Sequence, residues 1–555
     1  MVAGNDVEAS GRKEEIPHDH LFMVTGLSSS NLEKLAHEPP SDFETAIAAT
    51  GSGRFNVALM LCTFPAFWSA ISVTSSTSYI FTRAKCDMQL SLLDMGTVNA
   101  ITYGGMISSA MIWGFLSDTL GRRRIMVWGF FCAGLVEVAA ITVFWSDTLG
   151  RRRILLYFID FISIDFNISE TTFNGPFAVL ISYLAEMHRT ELRARVILLT
   201  SLFYTFANST LPLLAWGVLT HDWTFQITEK FGTCSYVPNS NMTECSKYLT
   251  DKLVIHSWNL FLLATALMPL LTGLVFLFLP ESPKFLMSRG RNEEAMQVFR
   301  KIYRLNTGNP KEDYPIKCLV EEKTEQQASG VAALRGGWAQ LAPLFRMPHV
   351  KWLALICAIH VFTMFGSNTL RLWYPQLAAM INSDSSESLC SAIAPSNVTV
   401  VFEEGCQPIQ TDMMTYMQSV IVGAGSALTY GIGGILVNRC GKKLVSAACS
   451  ITSAVVVILM PFLGNSADAV VALMTTALAL TSLSGAALSS ITVDLFPTSL
   501  RVMAMATFLM MGRMGTITGT VTFPALIDFG CLPPFITICT VLAGNYTSSF
   551  MPSST

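Results

Sequence analysis

The sequence is poor in charged residues. Asp, Glu, Lys and Arg together make up 14% of the 555 residues, whereas they make up roughly 25% of an average soluble domain. Hydrophobic residues account for 51% of the chain, and the mean hydropathy is +0.47. This composition excludes an ordinary soluble domain and predicts a polytopic protein of the lipid bilayer.

Other absences exclude further classes of protein. The 13 cysteines include no Cys-x-x-Cys pair, so the sequence predicts no metal site and no redox motif. The net charge is only -3, and no basic stripe lies outside the predicted membrane turns, which argues against nucleic acid as a partner. The sequence shows no nucleophile–base set and no phosphate-binding loop, so we expect no enzyme activity and no cofactor.

Long apolar runs dominate the chain. Twelve runs approach the ~20 residues that a membrane-spanning helix needs. They lie near residues 56–80, 92–116, 125–145, 160–185, 196–219, 255–279, 350–373, 411–437, 444–463, 468–492, 502–527 and 531–544. Lysines and arginines concentrate in the turns after the even-numbered runs, which places those turns in the cytoplasm. We expect an all-α, multi-pass, monomeric protein in the lipid of the plasma membrane or of an intracellular vesicle.

The spacing of these runs predicts five segments. They are a cytoplasmic N-terminal segment (1–55), a six-helix bundle (56–279), a cytoplasmic central loop (280–349), a second six-helix bundle (350–544) and a short tail (545–555). Within the first segment, Asp42 to Phe55 is predicted to form an amphipathic helix at the cytoplasmic membrane interface.

The turn after the second run has a distinctive composition. Residues 114–124 read Gly-Phe-Leu-Ser-Asp-Thr-Leu-Gly-Arg-Arg-Arg. Gly114 allows two helices to approach closely, and Gly121 permits a sharp turn before Arg122 and Arg123. Asp118 can pair with an arginine or cap a helix. A generic basic stop at a helix end is the alternative interpretation.

Acids and arginines recur at matching places in both halves of the chain. They are Glu186, Arg193 and Arg195 after the fourth run, Glu281 in Pro-Glu-Ser-Pro-Lys after the sixth, Arg439 and Gly441 after the eighth, and Asp494 and Arg501 after the tenth. This order predicts an internal repeat of six helices. We interpret the charges as ion-pair latches that hold the cytoplasmic side closed, and exposed charges at helix ends are the alternative.

These motifs resemble those of the major facilitator superfamily, and in particular the synaptic vesicle glycoprotein 2 relatives of the organic-ion transporters. Residues 370–375 (Leu-Arg-Leu-Trp-Tyr-Pro) and 512–515 (Gly-Arg-Met-Gly) add to the resemblance. It implies a major facilitator fold with about 12 transmembrane helices in two pseudo-symmetric six-helix bundles. It also implies alternating-access transport of a small organic solute, with a coupling ion as an optional partner. A transport-silent membrane protein that acts through interactions is the alternative, and the first run lacks the acid that several relatives carry.

The resemblance also implies a central cavity between the first, fourth, seventh and tenth helices. The candidate lining residues are Ser76, Ser78, Tyr79, Glu170, Asn368, Trp373, Tyr374 and Arg513. Aromatic rings with a carboxylate suit an organic cation, although Trp373 and Tyr374 are equally suited to anchor the membrane interface. Arg513 lies inside a span and therefore needs a partner. We expect a backbone carbonyl or a bound anion, so a structural and an anion-binding role both remain open.

Two outward loops each contain a pair of cysteines and a glycosylation sequon. The residues are Cys234, Cys245 and Asn241 in the first loop, and Cys390, Cys406 and Asn397 in the second. An oxidising compartment favours disulfides 234–245 and 390–406 with glycans at both asparagines. Free cysteines are the alternative.

A nine-letter segment disturbs this regular pattern. Ser-Asp-Thr-Leu-Gly-Arg-Arg-Arg-Ile occurs at 117–125 and again at 146–154. The second copy falls on the outward side, against the bias of positive charge. Either an outward segment precedes the fourth helix, or the copy is a local duplication or a sequence error. We favour the second explanation because a functional second loop would need its own hairpin.

Overall fold

The computed structural model describes residues 40–87, 90–147, 173–221, 225–232, 248–320, 342–383, 389–393, 413–496 and 498–544. The helices up to the middle of the chain are α1 (Phe43–Ala49), α2 (Arg54–Cys62), α3 (Phe64–Asp87), α4 (Leu92–Leu120), α5 (Arg122–Asp147), α6 (173–186), α7 (Thr190–Leu219), α8 (Ser257–Phe276), α9 (Pro283–Ser288) and α10 (Asn292–Thr307). The later ones are α11 (His349–Ser383), α12 (Leu389–Ile393), α13 (Met413–Cys440), α14 (Lys442–Leu463), α15 (Ala467–Leu495), α16 (Thr498–Ile527) and α17 (Leu532–Ala543).

The long helices match the predicted apolar runs. Six described stretches are long and apolar enough to cross a membrane by length and composition alone. They are Arg54–Ala84, Leu202–Leu219, Ser257–Phe276, His349–Asn382, Lys442–Leu463 and Ala467–Leu495. The predicted all-α, multi-pass architecture is therefore confirmed. The last helix has 12 residues, so its length of ~18 Å falls short of a ~30 Å hydrocarbon core.

The helices pack into two halves that meet along two symmetric seams. In the first half α5 packs on α8, and in the second half α14 packs on α15. Between the halves, α4 packs along α16 and α7 packs along α13. Because α4 and α7 are the second and fifth spans of the first half, and α13 and α16 hold the same positions in the second, the seams are related by the predicted internal repeat.

The described residues also contain one small β-hairpin, which the sequence did not predict. Strand β1 (Phe225–Gly232) pairs antiparallel with β2 (Tyr248–Ile255), with Phe225 opposite Ile255. It lies in the outward connection between α7 and α8. The hairpin leaves the all-α membrane region unchanged.

Helix α1 forms part of a cytoplasmic layer with α9 and α10. Asp42 caps its N-terminus by accepting a hydrogen bond from the Thr45 backbone N–H at 3.1 Å. Ile47 is 1% exposed and belongs to the same buried cluster as Phe299 of α10. Protein therefore covers the apolar face of α1, and its place at the membrane interface remains a prediction.

Candidate transport cavity

The two halves are in tight contact on the outward side. Gly96 of α4 lies so close to α16 that an added Cβ would be 2.5 Å from the carbonyl oxygen of Thr520. Tyr79 of α3 stacks on Tyr416 of α13, with ring centroids 6.4 Å apart. One buried cluster spans the same level, with members that include Phe81, Leu90, Met95, Trp373 and Phe523. These contacts close the outward end of the space between the halves.

The cytoplasmic side has a different organisation. The core residues of the first half form a cluster that includes Phe130 and Tyr183, whereas those of the second half form a separate cluster that includes Leu488 and Phe508. With the topology that the basic turns predict, a seal on the outward side and separate clusters on the cytoplasmic side correspond to an inward-facing state.

A central cavity of about 380 Å³ lies between the halves. Helices α3, α4, α6 and α7 line it from one half, and α11, α15 and α16 line it from the other. The polar lining residues are Thr74, Tyr103, Asn174, Tyr204, His360, Ser367, Asn368, Arg371, Ser482, Ser489, Arg513 and Thr516. The described lining thus contains two arginines and no Asp, Glu or Lys, which gives it a positive charge.

Arg513 connects the second half to the first near the middle of α16. Its guanidinium donates hydrogen bonds to the Met106 carbonyl oxygen at 3.1 Å and to Asn174 Oδ1 at 2.7 Å. Asn174 Nδ2 donates to the same carbonyl at 3.0 Å. The predicted backbone carbonyl partner is confirmed, and Arg513 serves as a polar contact between the halves as well as a cavity wall.

Arg371 of α11 borders both the central cavity and a second, outer cavity of about 580 Å³. Its guanidinium donates to the hydroxyl of Tyr204 on α7 at 3.4 Å, again across the two halves. Tyr204 also borders both cavities. Both side chains therefore lie in the wall that the two cavities share.

Four of the predicted lining residues border these cavities. Asn368 and Arg513 line the central cavity, and Tyr79 and Tyr374 line the outer one. Asn368 donates to the Thr516 hydroxyl at 2.7 Å. The structure thus brings together polar groups from the first, seventh and eleventh spans, although their role in binding a solute remains a prediction.

Three other predicted residues border neither cavity. Ser76 and Ser78 are 1% and 3% exposed on α3. Trp373 is 3% exposed and packs on Phe523, with ring centroids 5.7 Å apart. It is therefore a core residue, neither a cavity wall nor an interfacial anchor, because it lies on a face of α11 that the second half covers. Glu170 lies outside the described residues.

Most residues of the central lining were not predicted from the sequence. Asn174, Tyr204, His360 and Arg371 are among them. His360 and Arg371 interrupt the apolar run 350–373, and a titratable residue inside a span is a signal that could have identified both.

The basic turn at Gly121 joins α4 to α5 on the cytoplasmic side. Gly121 adopts φ +101°, a backbone conformation that is unfavourable for residues with a side chain. Glu281 Oε1 accepts a hydrogen bond from the Arg123 backbone N–H at 2.9 Å. Arg122 pairs with Glu186 at 3.5 Å. These contacts lie within the first half and the start of the central loop, and a latch between the halves remains a prediction.

Gly114 and Asp118 lie in α4, but their side-chain positions, including that of the Asp118 carboxylate, are outside the described part of the structure. In the second copy of the nine-letter segment, the residues from 148 onward also lie outside the described residues.

Arg193 has a partner in the N-terminal segment rather than in Glu186. Its guanidinium donates to the two carboxylate oxygens of Glu44 at 3.0 and 2.9 Å. Burial opposes ionisation of Glu44, but hydrogen bonds from Arg193 and Thr190 outweigh it and hold the pKa of that carboxyl below its ordinary value. Arg195 is exposed. The ion pair therefore fastens α1 to the start of α7.

The second half contains a similar cytoplasmic turn. Gly441 adopts φ +86° between α13 and α14, and Lys442 pairs with Asp494 at the end of α15. Arg439 is exposed and Arg501 is half-buried. The ion pair again lies within one half.

The outward loops contain a disulfide that differs from the predicted pairing. Cys390 of α12 is bonded to Cys531, immediately before α17, with a Cα–Cα distance of 5.4 Å. The prediction of a 390–406 disulfide is therefore wrong. The Leu389 backbone N–H donates to the Gly464 carbonyl at 2.9 Å, which holds α12 against the top of the second half. Cys234, Cys245, Cys406, Asn241 and Asn397 lie outside the described residues.

Comparisons with known proteins agree with this arrangement. The sequence model of the "Sugar (and other) transporter" family matches residues 240–403. Rat (Rattus norvegicus) synaptic vesicle glycoprotein 2B is 22% identical over 376 residues, which are 64% of this chain and 49% of the relative. Human (Homo sapiens) synaptic vesicle glycoprotein 2A is 22% identical over 381 residues, which are 63% of this chain and 45% of the relative. The chain therefore spans about half the length of these relatives.

Solved structures share its architecture. The xylose transporter XylE from E. coli, in a partially occluded inward-open conformation, matches with a TM-score of 0.58 and 15% identity, over 92% of this chain and 98% of that one. A point mutant of the nucleoside transporter NupG matches with a TM-score of 0.53 and 12% identity, over 90% and 98%.

The chain has the major facilitator fold and resembles synaptic vesicle glycoprotein 2. In this structure the two glycine turns at Gly121 and Gly441 occupy corresponding places in the two halves, and each is followed directly by a basic residue. The cavity with Arg371 and Arg513 lies between those halves.

Proposed function

We propose that this integral membrane protein is a secondary transporter of a small organic solute and that it works by alternating access. The central cavity between the two halves, lined by polar side chains from both, is the observation that carries the proposal. A cavity of a few hundred Å³ matches the size range of small-molecule sites. A rocking motion of the halves would open it to the other side of the membrane.

We further propose that the solute carries an anionic group. The sequence favoured an organic cation on the strength of aromatic rings and Glu170. Yet Arg371 and Arg513 line the central cavity, and its described lining contains no acid. Guanidinium groups bind carboxylates strongly through charge-assisted hydrogen bonds, whereas a bound cation would be repelled by both of them. The tyrosines Tyr79 and Tyr374 supply an apolar wall for the rest of the solute.

Uptake into proteoliposomes tests this proposal. The panel contains labelled succinate and isethionate as anions, xylose and uridine as neutral solutes, and choline as a cation. We expect saturable uptake of an anion. Arg371→Gln should raise its KM by about tenfold to a hundredfold, since a hydrogen bond to a charged group contributes ~1.5–3 kcal/mol. Arg300→Gln, on the exposed face of α10, is the matched control and should leave KM unchanged.

Other results would redirect the assignment. Saturable choline uptake that survives Arg371→Gln would restore the organic cation. A protein that melts cooperatively but transports no member of the panel would favour the transport-silent alternative, in which the fold serves interactions with other molecules.

A further inference from the structure

His360 is an unusual residue in the wall of the central cavity. It is 3% exposed, and its Nδ1 is buried with no hydrogen-bond partner among the described residues. Its ring stacks on Phe508 of α16, with centroids 3.6 Å apart. A buried polar atom without a partner costs free energy, so a purely structural role would favour an apolar residue here.

The position of His360 depends on the neighbouring helix. A Cβ added to Gly512 would lie 2.3 Å from His360 Nε2, so only a glycine leaves space for the imidazole. The next residue along α16 is Arg513, whose Cα is ~3.8 Å from that of Gly512. His360 and Arg513 both line the central cavity.

The cavity contains few other groups that could exchange a proton. The titratable or charged groups in its described lining are Tyr103 from α4, Tyr204 from α7, Arg371 from α11 and Arg513 from α16. Helix α15 contributes only Ser482, Gly485, Ala486 and Ser489. The unperturbed pKa values of tyrosine and arginine lie far above neutral pH, and histidine is the side chain whose unperturbed pKa lies near it.

We propose that His360 is the proton-binding site that couples transport to a proton gradient. The two arginines oppose a third positive charge when the cavity is empty. A bound anion offsets them, so protonation of the imidazole and binding of the anion favour each other by the same free energy. The proton adds to a ring nitrogen and leaves from it in the other compartment, and no bond of the solute changes. Anion and proton then cross together. This inference rests on the proposed function.

The first test measures accumulation of labelled succinate and isethionate in proteoliposomes with a pH gradient of 1.5 units, alkaline inside, and with the membrane potential clamped at zero. One coupled proton supports at most about 30-fold accumulation, since each pH unit corresponds to ~1.4 kcal/mol. Wild-type protein should accumulate the anion against its gradient. His360→Gln should only equilibrate it. His221→Gln, at an exposed site, should behave as wild type.

The second test needs no variant. Addition of isethionate to weakly buffered wild-type protein at pH 7 should raise the pH through uptake of up to one proton per bound anion. Anion transport without proton uptake, or accumulation that persists in His360→Gln, would refute the coupling site and leave the proposed transport intact. If no anion is taken up or bound, both proposals fail together.

Discussion

At the scale of single residues, two matched glycines offer a controlled comparison. Gly121 and Gly441 both have positive φ, at +101° and +86°, so Ala at either site incurs a backbone cost of ~1–3 kcal/mol. A Cβ at Gly121 would also lie 2.7 Å from Glu281 Oε2, whereas nothing lies within 4 Å at Gly441. We expect Gly121→Ala to destabilise the protein by about 1–3 kcal/mol more than Gly441→Ala. The difference should be measurable as a lower melting temperature of Gly121→Ala in detergent.

A double substitution tests whether the contact with Glu281 causes the larger cost at Gly121. Glu281→Ala removes the carboxylate that a Cβ at Gly121 would meet, so the added cost of Gly121→Ala should shrink in that background. Equal melting temperatures for Gly121→Ala and Gly441→Ala would show that backbone strain alone determines both.

Single residues also mark the limit of prediction from the sequence. The need of Arg513 for a partner was predictable because an arginine inside a span is costly without one. The identity of that partner was not, since Met106 and Asn174 belong to the other half of the chain. Cys390 shows the same limit, because its partner Cys531 lies 141 residues away and local spacing favoured Cys406.

At the scale of elements, helix α1 supports a prediction about the cytoplasmic layer. Ile47 is 1% exposed in the cluster that contains Phe299. Ile47→Ala leaves a cavity that costs ~2–5 kcal/mol, and we expect α1 to detach locally before the membrane helices unfold. Hydrogen exchange of residues 43–49 should accelerate markedly, while exchange in α8 stays unchanged. Val57→Ala, at a site 59% exposed, is the control.

The helices themselves were the most predictable elements. Apolar runs and basic turns determine where a chain can cross lipid, so α14 at 442–463 lies within two residues of the run 444–463. The amphipathic pattern of α1 was equally visible, but the pattern does not say whether lipid or protein covers an apolar face. That choice depends on α10 and on the Glu44–Arg193 pair, which are distant in sequence.

At the scale of the whole molecule, the closed outward side implies an equilibrium between inward-facing and outward-facing states. A substitution at Gly96 should shift this equilibrium. In the inward-facing state a Cβ at Gly96 would lie 2.5 Å from the Thr520 carbonyl oxygen and 3.0 Å from Pro524 Cγ. The seal must part when the cavity opens outward, so Gly96→Val penalises the inward-facing state by about 1–3 kcal/mol and should lower its population.

Alkylation measures that population. A Ser489→Cys substitution places a thiol in the cavity wall near the cytoplasmic end of α15, where a membrane-impermeant maleimide reaches it from the cytoplasmic side. We expect Gly96→Val to slow this labelling severalfold. Gly104→Val on the same helix, with nothing within 4 Å of its Cβ position, should leave the rate unchanged. If the contact at Gly96 stabilises the inward-facing state, the larger valine side chain must separate α4 from α16 and lower the population of that state. Equal labelling rates in both variants would therefore mean that this contact does not hold the halves together.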